Sequence, residues 1–371
     1  MGAMEQGSDA VNDLCNSELH KKRMVWPIIN SIIFSTLLAS CAAPYIDDAR
    51  FEENYQIKVH ETASVFAGTT LFVDKTDLEY QKIVEVDMEG RILWSYDVPQ
   101  NLFPSGRTPQ NGVSDIERLA NGNTLFNIQL VGNFEVNPKG EIVWHIDDDR
   151  ASHDVDRLPN GNTLYVRGWE DKGDLHVVEI DRSGKMVWSW DGLAHYDLRP
   201  YAGIEDQGWM HVNSVTRLAN NNTMISIRNF NTVAEVTPDG NVINETLFPP
   251  KPMPLKKRLG LGAHPHDPEY QPNGNILAAL TGVNKLFEVP SAGGPPVWKW
   301  EHPNGKRPIA HMRDANRLPN GNTLIVERDA ITEITPQGKI VWQLRVANVS
   351  QKPTFLFKAQ RISPDGRIFG G

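Results

Sequence analysis

Cysteine is almost missing from this chain: 371 residues hold two, Cys15 and Cys41, and both precede the body of the protein. The folded part can therefore hold neither a disulfide nor a thiolate metal site. Long basic runs are missing too, and the formal net charge is −9, which argues against a nucleic-acid partner. No apolar stretch reaches an uninterrupted membrane-spanning length. The most apolar run, MVWPIINSIIFSTLLAS, is broken by Pro27 and Asn30 and is short for a spanning helix. What remains is ordinary globular composition, 40% apolar and 22% charged, with many Gly and Pro.

The apolar run follows a basic cluster, His20 to Arg23, and ends in small residues, the pattern of a secretory signal. Its last four residues, LASC (Leu38 to Cys41), resemble the lipobox of bacterial lipoproteins, in which the Cys is acylated and becomes the new N-terminus. The expectation is residues 1–41 as a signal with lipidation at Cys41, 42–59 as a linker, and 60–371 as the folded body. A plain cleaved signal or a membrane anchor is the alternative. Ala42 after the Cys favours the outer membrane, with the protein facing the periplasm. The acidic residues 1–19 fit no export signal and suggest a start codon placed upstream of the true one.

Repeats decide the architecture. One frame recurs as DIERLANGNTLF (from Asp115), DVDRLPNGNTLY (from Asp154), SVTRLANNNTMI (from Ser214), DPEYQPNGNILA (from Asp267) and DANRLPNGNTLI (from Asp314). Each copy leads into a second strand–turn–strand motif such as FEVNPKGEIVWHI or TEITPQGKIVWQL, and IVEVDMEGRILWSY (from Ile83) is a second half without a first. Short alternating runs joined by Asn-Gly or Asp-Gly turns read as tight antiparallel hairpins. The repeat length, about 40–60 residues, is close to one four-stranded propeller blade. The fold class is therefore all-β, a six-bladed β-propeller. The C-terminal FKAQRISPDGRIF supplies the missing strand of the N-terminal half unit, which closes the ring and removes its open edge. Trp94, Trp144, Trp188, Trp298 and Trp342 fall at one column of the outer strand and read as blade-to-blade packing.

Aligning the frames separates scaffold from site. The Asp column (Asp115, Asp154, Asp267, Asp314) repeats and so serves the blades, bonding turn or neighbouring-strand amides. The position before it varies: Ser114, His153, Asn213, His266, Arg313. That position heads the inner strand at the channel mouth. His211 stands two residues before Asn213, on the same face of an extended strand. Folding the hairpin about Asn220 and Asn221 brings Arg228 opposite Asn213 and near His211. Two long inter-blade segments add Tyr196, Tyr201 and Trp209, and Lys256, Lys257, Arg258 and His264. Several imidazoles, an Asn, an Arg and aromatic loops suit a compact oxyanion attached to a ring. Arg offers a planar charged fork, and neutral His can donate a hydrogen bond or act as a nucleophile. His20, His60, His145, His176, His195 and His302 read as structural.

On HVNSV with Arg228 downstream, HDVDRLPNGN and HPHDPEYQPNGN, the sequence resembles the bacterial arylsulfate sulfotransferase family over most of residues 60–371. The resemblance implies a six-bladed propeller that moves a sulfuryl group between phenols through a sulfated histidine, with no nucleotide donor and no cofactor or metal. It implies His266 as the nucleophile, with His264 as rival. His211, Asn213 and Arg228 would hold the sulfuryl oxygens, and His153 would act as acid or base. Arg328 adds positive potential, and Trp209 lines the substrate site. The absence of a phosphate-cradling glycine loop agrees with a nucleotide-independent reaction. The partners expected are aryl sulfates and phenols, the membrane through the lipid anchor, and no second subunit. The additional N-terminal β domain that the family uses to dimerise has no counterpart here. A non-catalytic lipoprotein propeller that binds proteins through its rim is the alternative. A quinone-cofactor propeller fits poorly, because those tend to use a vicinal disulfide and a calcium site.

Overall fold

The repeated frame folds into six antiparallel sheets. The computed structural model describes residues 50–51, 54–77, 80–103, 112–248, 262–302, 311–347 and 355–370. From the channel outward, blade 2 runs Val113–Arg118, Thr124–Ile128, Gly132–Val136 and Ile142–Asp147. Blades 3, 4, 5 and 6 repeat this with inner strands Ser152–Arg157, Val212–Arg217, Pro265–Tyr270 and Asp314–Arg317. Blade 1 is composite. Its inner strand is Phe355–Ile362 from the C-terminus, paired antiparallel with Thr69–Lys75 from the N-terminal side. The ring closes as the half units require. Tyr55–His60, mostly inside the span expected to be linker, adds a fifth outer strand to blade 6 by pairing with Ile340–Val346. The lipobox and everything before it lie outside the described residues, as do Lys256, Lys257 and Arg258.

The frame RLPNGNTL persists because its residues clamp one blade to the next. Its last Asn donates to a Glu on the third strand of its own blade: Asn162 Nδ2 reaches Glu179 at 2.6 Å, and Asn322 reaches Glu333 at 2.7 Å. The same Glu accepts from the frame Arg of the following blade, as Glu179 does from Arg217 at 2.7 Å. That Arg also lies over the preceding blade's Trp, with Arg157 4.4 Å from the Trp144 ring and Arg361 4.9 Å from Trp342. The Trp in turn donates Nε1–H to a turn carbonyl of the next blade, Trp188 to Pro238 at 2.8 Å. The Trp column is inter-blade packing, as its repetition requires. At the interface of blades 4 and 5 both halves change together. Tyr270 replaces the Arg and Asn244 replaces the Trp, and Asn244 keeps the bond forward by donating to the Ser291 carbonyl at 2.9 Å.

Three of the four residues in the Asp column do the backbone work expected of them, while Asp267 pairs with Lys358. Asp115 accepts from the Val155 amide at 2.8 Å, Asp154 from Val215 at 2.6 Å and Asp314 from Ala359 at 3.0 Å, each on the inner strand of another blade. Bulges fall beside this column. Register shifts between Ser152 and Val155, Val212 and Ser214, His266 and Glu269, and Leu356 and Ala359. Each extra residue re-aims the side chains at the head of its strand, a use of bulges common beside active sites.

Candidate functional site

Three imidazoles from three blades meet at the strand heads. The His153 ring centroid lies 5.0 Å from that of His211 and 6.1 Å from that of His266. All three residues are buried. Their backbones are bent to achieve this. His153 has φ 24°, His211 has φ 48°, and Asp267, next to His266, has φ 47°, values that non-glycine residues adopt only where surroundings impose them.

Each imidazole has its own setting. Nδ1 of His153 is joined to Ser152 Oγ by a short hydrogen bond. Nδ1 of His211 lies 3.0 Å from the Gln207 carbonyl and 3.2 Å from Nη1 of Arg228. Gln207 and Arg228 thus compete for Nδ1, and Nε2 is the nitrogen turned away from them. Among the described residues neither ring nitrogen of His266 makes a hydrogen bond of good geometry, although the Arg313 backbone comes near enough to act on the ring. Burial, reinforced by Arg313, holds the His266 pKa down to about 3. Burial also pushes His153 and His211 well below the usual histidine range, with His211 and His266 adding to the effect on His153 and Arg228 to that on His211. The site therefore presents neutral imidazoles beside permanent cations. Among the described residues no group of three or more His, Cys, Asp or Glu has metal-holding geometry.

The other expected residues sort into three groups. Arg228 is next to His211 as the hairpin implies, but it follows the strand and opens a short 3-10 turn; Asn213 is a bulged residue with no partner opposite it. Asn213 donates Nδ2–H to the Pro265 carbonyl at 2.9 Å, and Ser226 Oγ donates to the same oxygen at 2.9 Å. These two bonds fix the residue immediately before His266. His264 sits outside the strand, half-buried, its amide held by Asn231 Oδ1 at 3.0 Å and its pKa lowered to about 4 by burial and by Arg228. Arg328 lies close enough to His311 to help depress that residue's pKa. Trp209 is not brought to the cluster. It is buried among Tyr196, Tyr201 and Phe230, with Nε1–H on the Tyr201 carbonyl at 3.1 Å, because the long segment before blade 4 needs an apolar core of its own.

Several residues at the site carry no earlier assignment. Trp169 is the aromatic that meets the imidazoles, 4.8 Å from His153 and 5.8 Å from His211 between ring centroids. Phe357, in the head column of blade 1, lies 5.6 Å from His266. Arg313 and Lys75 both stand over that phenyl ring, at 4.6 and 4.9 Å. Lys358 occupies the Asp column of blade 1 and pairs with Asp267 at 2.6 Å, Asp115 at 3.4 Å and Asp154 at 3.7 Å. All of these but Trp169 fall in columns. FKAQR aligns with HDVDR residue for residue, which places Phe357 and Lys358 in their columns. His311 completes a second column with His211 and His264, two residues before the head in three successive blades, all at positive φ. Lys75 follows Thr70 by five residues, as Arg228 follows Thr223 and Arg328 follows Thr323, so three blades place a cation at that position.

The fold and the site together define a six-bladed propeller carrying neutral imidazoles and guanidinium groups at one end of its inner strands. The chain belongs to the arylsulfotransferase (ASST) family, whose match spans residues 53–244. That span takes in His153, His211, Asn213 and Arg228 and ends before His264 and His266. No curated protein matches the chain. Among solved structures it is similar to a protein of unknown function from Bacteroides caccae, at 16% identity and TM-score 0.56, covering 79% of this chain and 98% of that one. It is also similar to a streptogramin B lyase, at 15% identity and TM-score 0.50, over 85% of this chain and 97% of that one. A catalytically inactive virginiamycin B lyase from Staphylococcus aureus with quinupristin matches at 13% identity and TM-score 0.50, over 85% and 97%. At these identities the likeness is one of fold.

Proposed function

We propose that the protein transfers a sulfuryl group from an aryl sulfate to a phenolic acceptor through a sulfated His266. The observation that carries this is the meeting of His153, His211 and His266, all neutral, with Arg228 3.2 Å from His211. A ring nitrogen of His266 attacks sulfur and forms an N–S bond as the S–O(aryl) bond breaks. His153, which takes up a proton from solvent once the anionic ester is bound, passes that proton to the departing phenolate and returns to its neutral form. The acceptor hydroxyl then gives its proton to His153, its oxygen attacks sulfur, and the N–S bond breaks to restore His266. Arg228 and the free Nε2 edge of His211 face the sulfuryl oxygens and stabilise the charge that builds on them. Asn213 contributes through the Pro265 carbonyl, which orients His266. The depressed pKa keeps His266 nucleophilic, and an anionic ester placed among these cations offsets the depression at His153, which lets it carry the proton.

Sequence charge supports an anionic substrate. The segments 104–111, 249–261, 303–310 and 348–354 lead into the inner strands of four blades. They contain Lys and Arg but no Asp or Glu, although the whole chain is acidic. Such local excess raises the encounter rate with anions. The same reading makes the protein an exported lipoprotein acylated at Cys41, without a resident cofactor. Recovery of wild-type protein with membranes, and of Cys41→Ala without them, tests that part.

Intact-protein mass of the propeller mixed with a chromogenic aryl sulfate and no acceptor tests the transfer. A gain of one SO3 with release of one phenol per chain is the expected result. No adduct and no phenol across a panel of aryl sulfates would instead favour a binding scaffold.

A further inference from the structure

Two lysines are buried near the centre of the ring, and they are treated oppositely. Lys358 is matched by Asp115, Asp154 and Asp267. Lys75 ends the strand Thr69–Lys75 and is 2% exposed, yet among the described residues its ammonium makes no hydrogen bond and no ion pair. Its ammonium lies over the face of Phe357 at 4.9 Å, a ring it shares with the Arg313 guanidinium at 4.6 Å. A buried unpaired ammonium is costly, and a guanidinium beside it raises the cost further. A cation–π contact returns only part of that. Burial and then Arg313 hold Lys75 down to about 7. Among the described residues the Lys75 ammonium lacks an anion, and Phe357 joins it directly to the reacting end of the site, since His266 packs edge-on against the same ring at 5.6 Å.

We infer that Lys75, with Arg313 beside it, receives a second anionic group on the substrate, so that the preferred aryl sulfates and phenols carry a ring carboxylate. The inference rests on the proposed sulfuryl transfer for the class of ligand. The His266 ring and the Lys75 ammonium lie 5.6 and 4.9 Å from the centre of the same phenyl ring, so one small aromatic ligand beside Phe357 can present a substituent to each. A neutral phenol leaves the Lys75 side unmatched, whereas a hydroxybenzoate fills both ends.

Equilibrium binding of 4-hydroxybenzoate and 4-hydroxybenzamide, measured by calorimetry on the full chain, separates the two ideas, because neither probe carries a sulfuryl group. The expected result is at least tenfold tighter binding of the benzoate to wild type. That preference is lost in Lys75→Met and in Lys75→Gln and kept in Lys75→Arg. Lys75→Met should also melt no lower than wild type, since it removes an unpaired buried charge. No preference in wild type, or a preference retained in either folded neutral variant, would overturn the inference. Neither result depends on whether an SO3 adduct forms, and an adduct without the preference would leave transfer standing and this subsite rejected.

Discussion

The Lys358 ammonium lies 2.6 Å from Oδ2 of Asp267, the residue that follows His266. One partner comes from the C-terminal strand that closes the ring, the other from the bulge that presents the candidate nucleophile. Burial alone would raise the Asp267 pKa, but Lys358 holds it below the usual carboxylate range. Phe357, the neighbour of Lys358, packs on the His266 ring itself. Ring closure and site assembly are thus the same event.

Lys358→Met should show this as a stability loss of about 3–5 kcal/mol, the usual result of removing one partner of a buried ion pair. Chemical denaturation of the variant measures it. An unchanged midpoint would mean that the carboxyls around Lys358 simply take up protons, as the raised pKa values of Asp115, Asp154 and Asp314 would allow.

His266→Ala should abolish the SO3 adduct, while His264→Ala should retain it. His264 precedes the strand and sits half-buried with its amide on Asn231, whereas His266 is on the strand and in ring contact with His153. The reverse pattern in intact-mass spectra would assign the nucleophile to His264.

Arg228→Lys should lower kcat by about a hundredfold or more, the scale seen when a donor to developing oxyanion charge is removed. Nη1 alone makes the contacts to His211 and Asn229, and lysine, with one nitrogen, would spend it there and keep no second edge of a planar fork for the sulfuryl oxygens. Asn213→Ala should cost less, because Ser226 still donates to the Pro265 carbonyl. Steady-state rates with a chromogenic donor rank the two, and equal losses would point to direct substrate contact by Asn213.

Adduct formation should survive acid. A histidine pKa lowered from 6.5 to about 3 means the neutral, nucleophilic form persists down to pH 4. Burst rates at pH 5 and pH 7 should agree within about threefold. An unperturbed imidazole with a pKa of about 6.5 would lose roughly twentyfold over the same interval, and a drop of that size would show that the site opens to water before it reacts.

Much of this molecule is written in its repeats. RLPNGNTL recurs because Arg, Asn and the Gly-containing turn each have a fixed partner in every blade. The head position varies because it faces the channel. His153, His211 and His266 stood out for that reason, and they do meet. Trp209 packs with Tyr196, Tyr201 and Phe230, because aromatic content in a loop does not say whether the loop covers the site or packs on itself. The column of Arg313 shows which way the residue faces and not that it stands over Phe357.

Local periodicity and repeated turn chemistry are enough to specify the blades, their number, the closing strand and the histidine heads. Folding in three dimensions set the bridge of Phe357 between His266 and Lys75, the hold of Asn213 on the Pro265 carbonyl, and the pairing of one buried lysine while the other meets no anion among the described residues. Those relations join residues distant along the chain, brought together when the ring closes. They depend on distances of a few ångströms between strand heads, which no pattern along a single strand records.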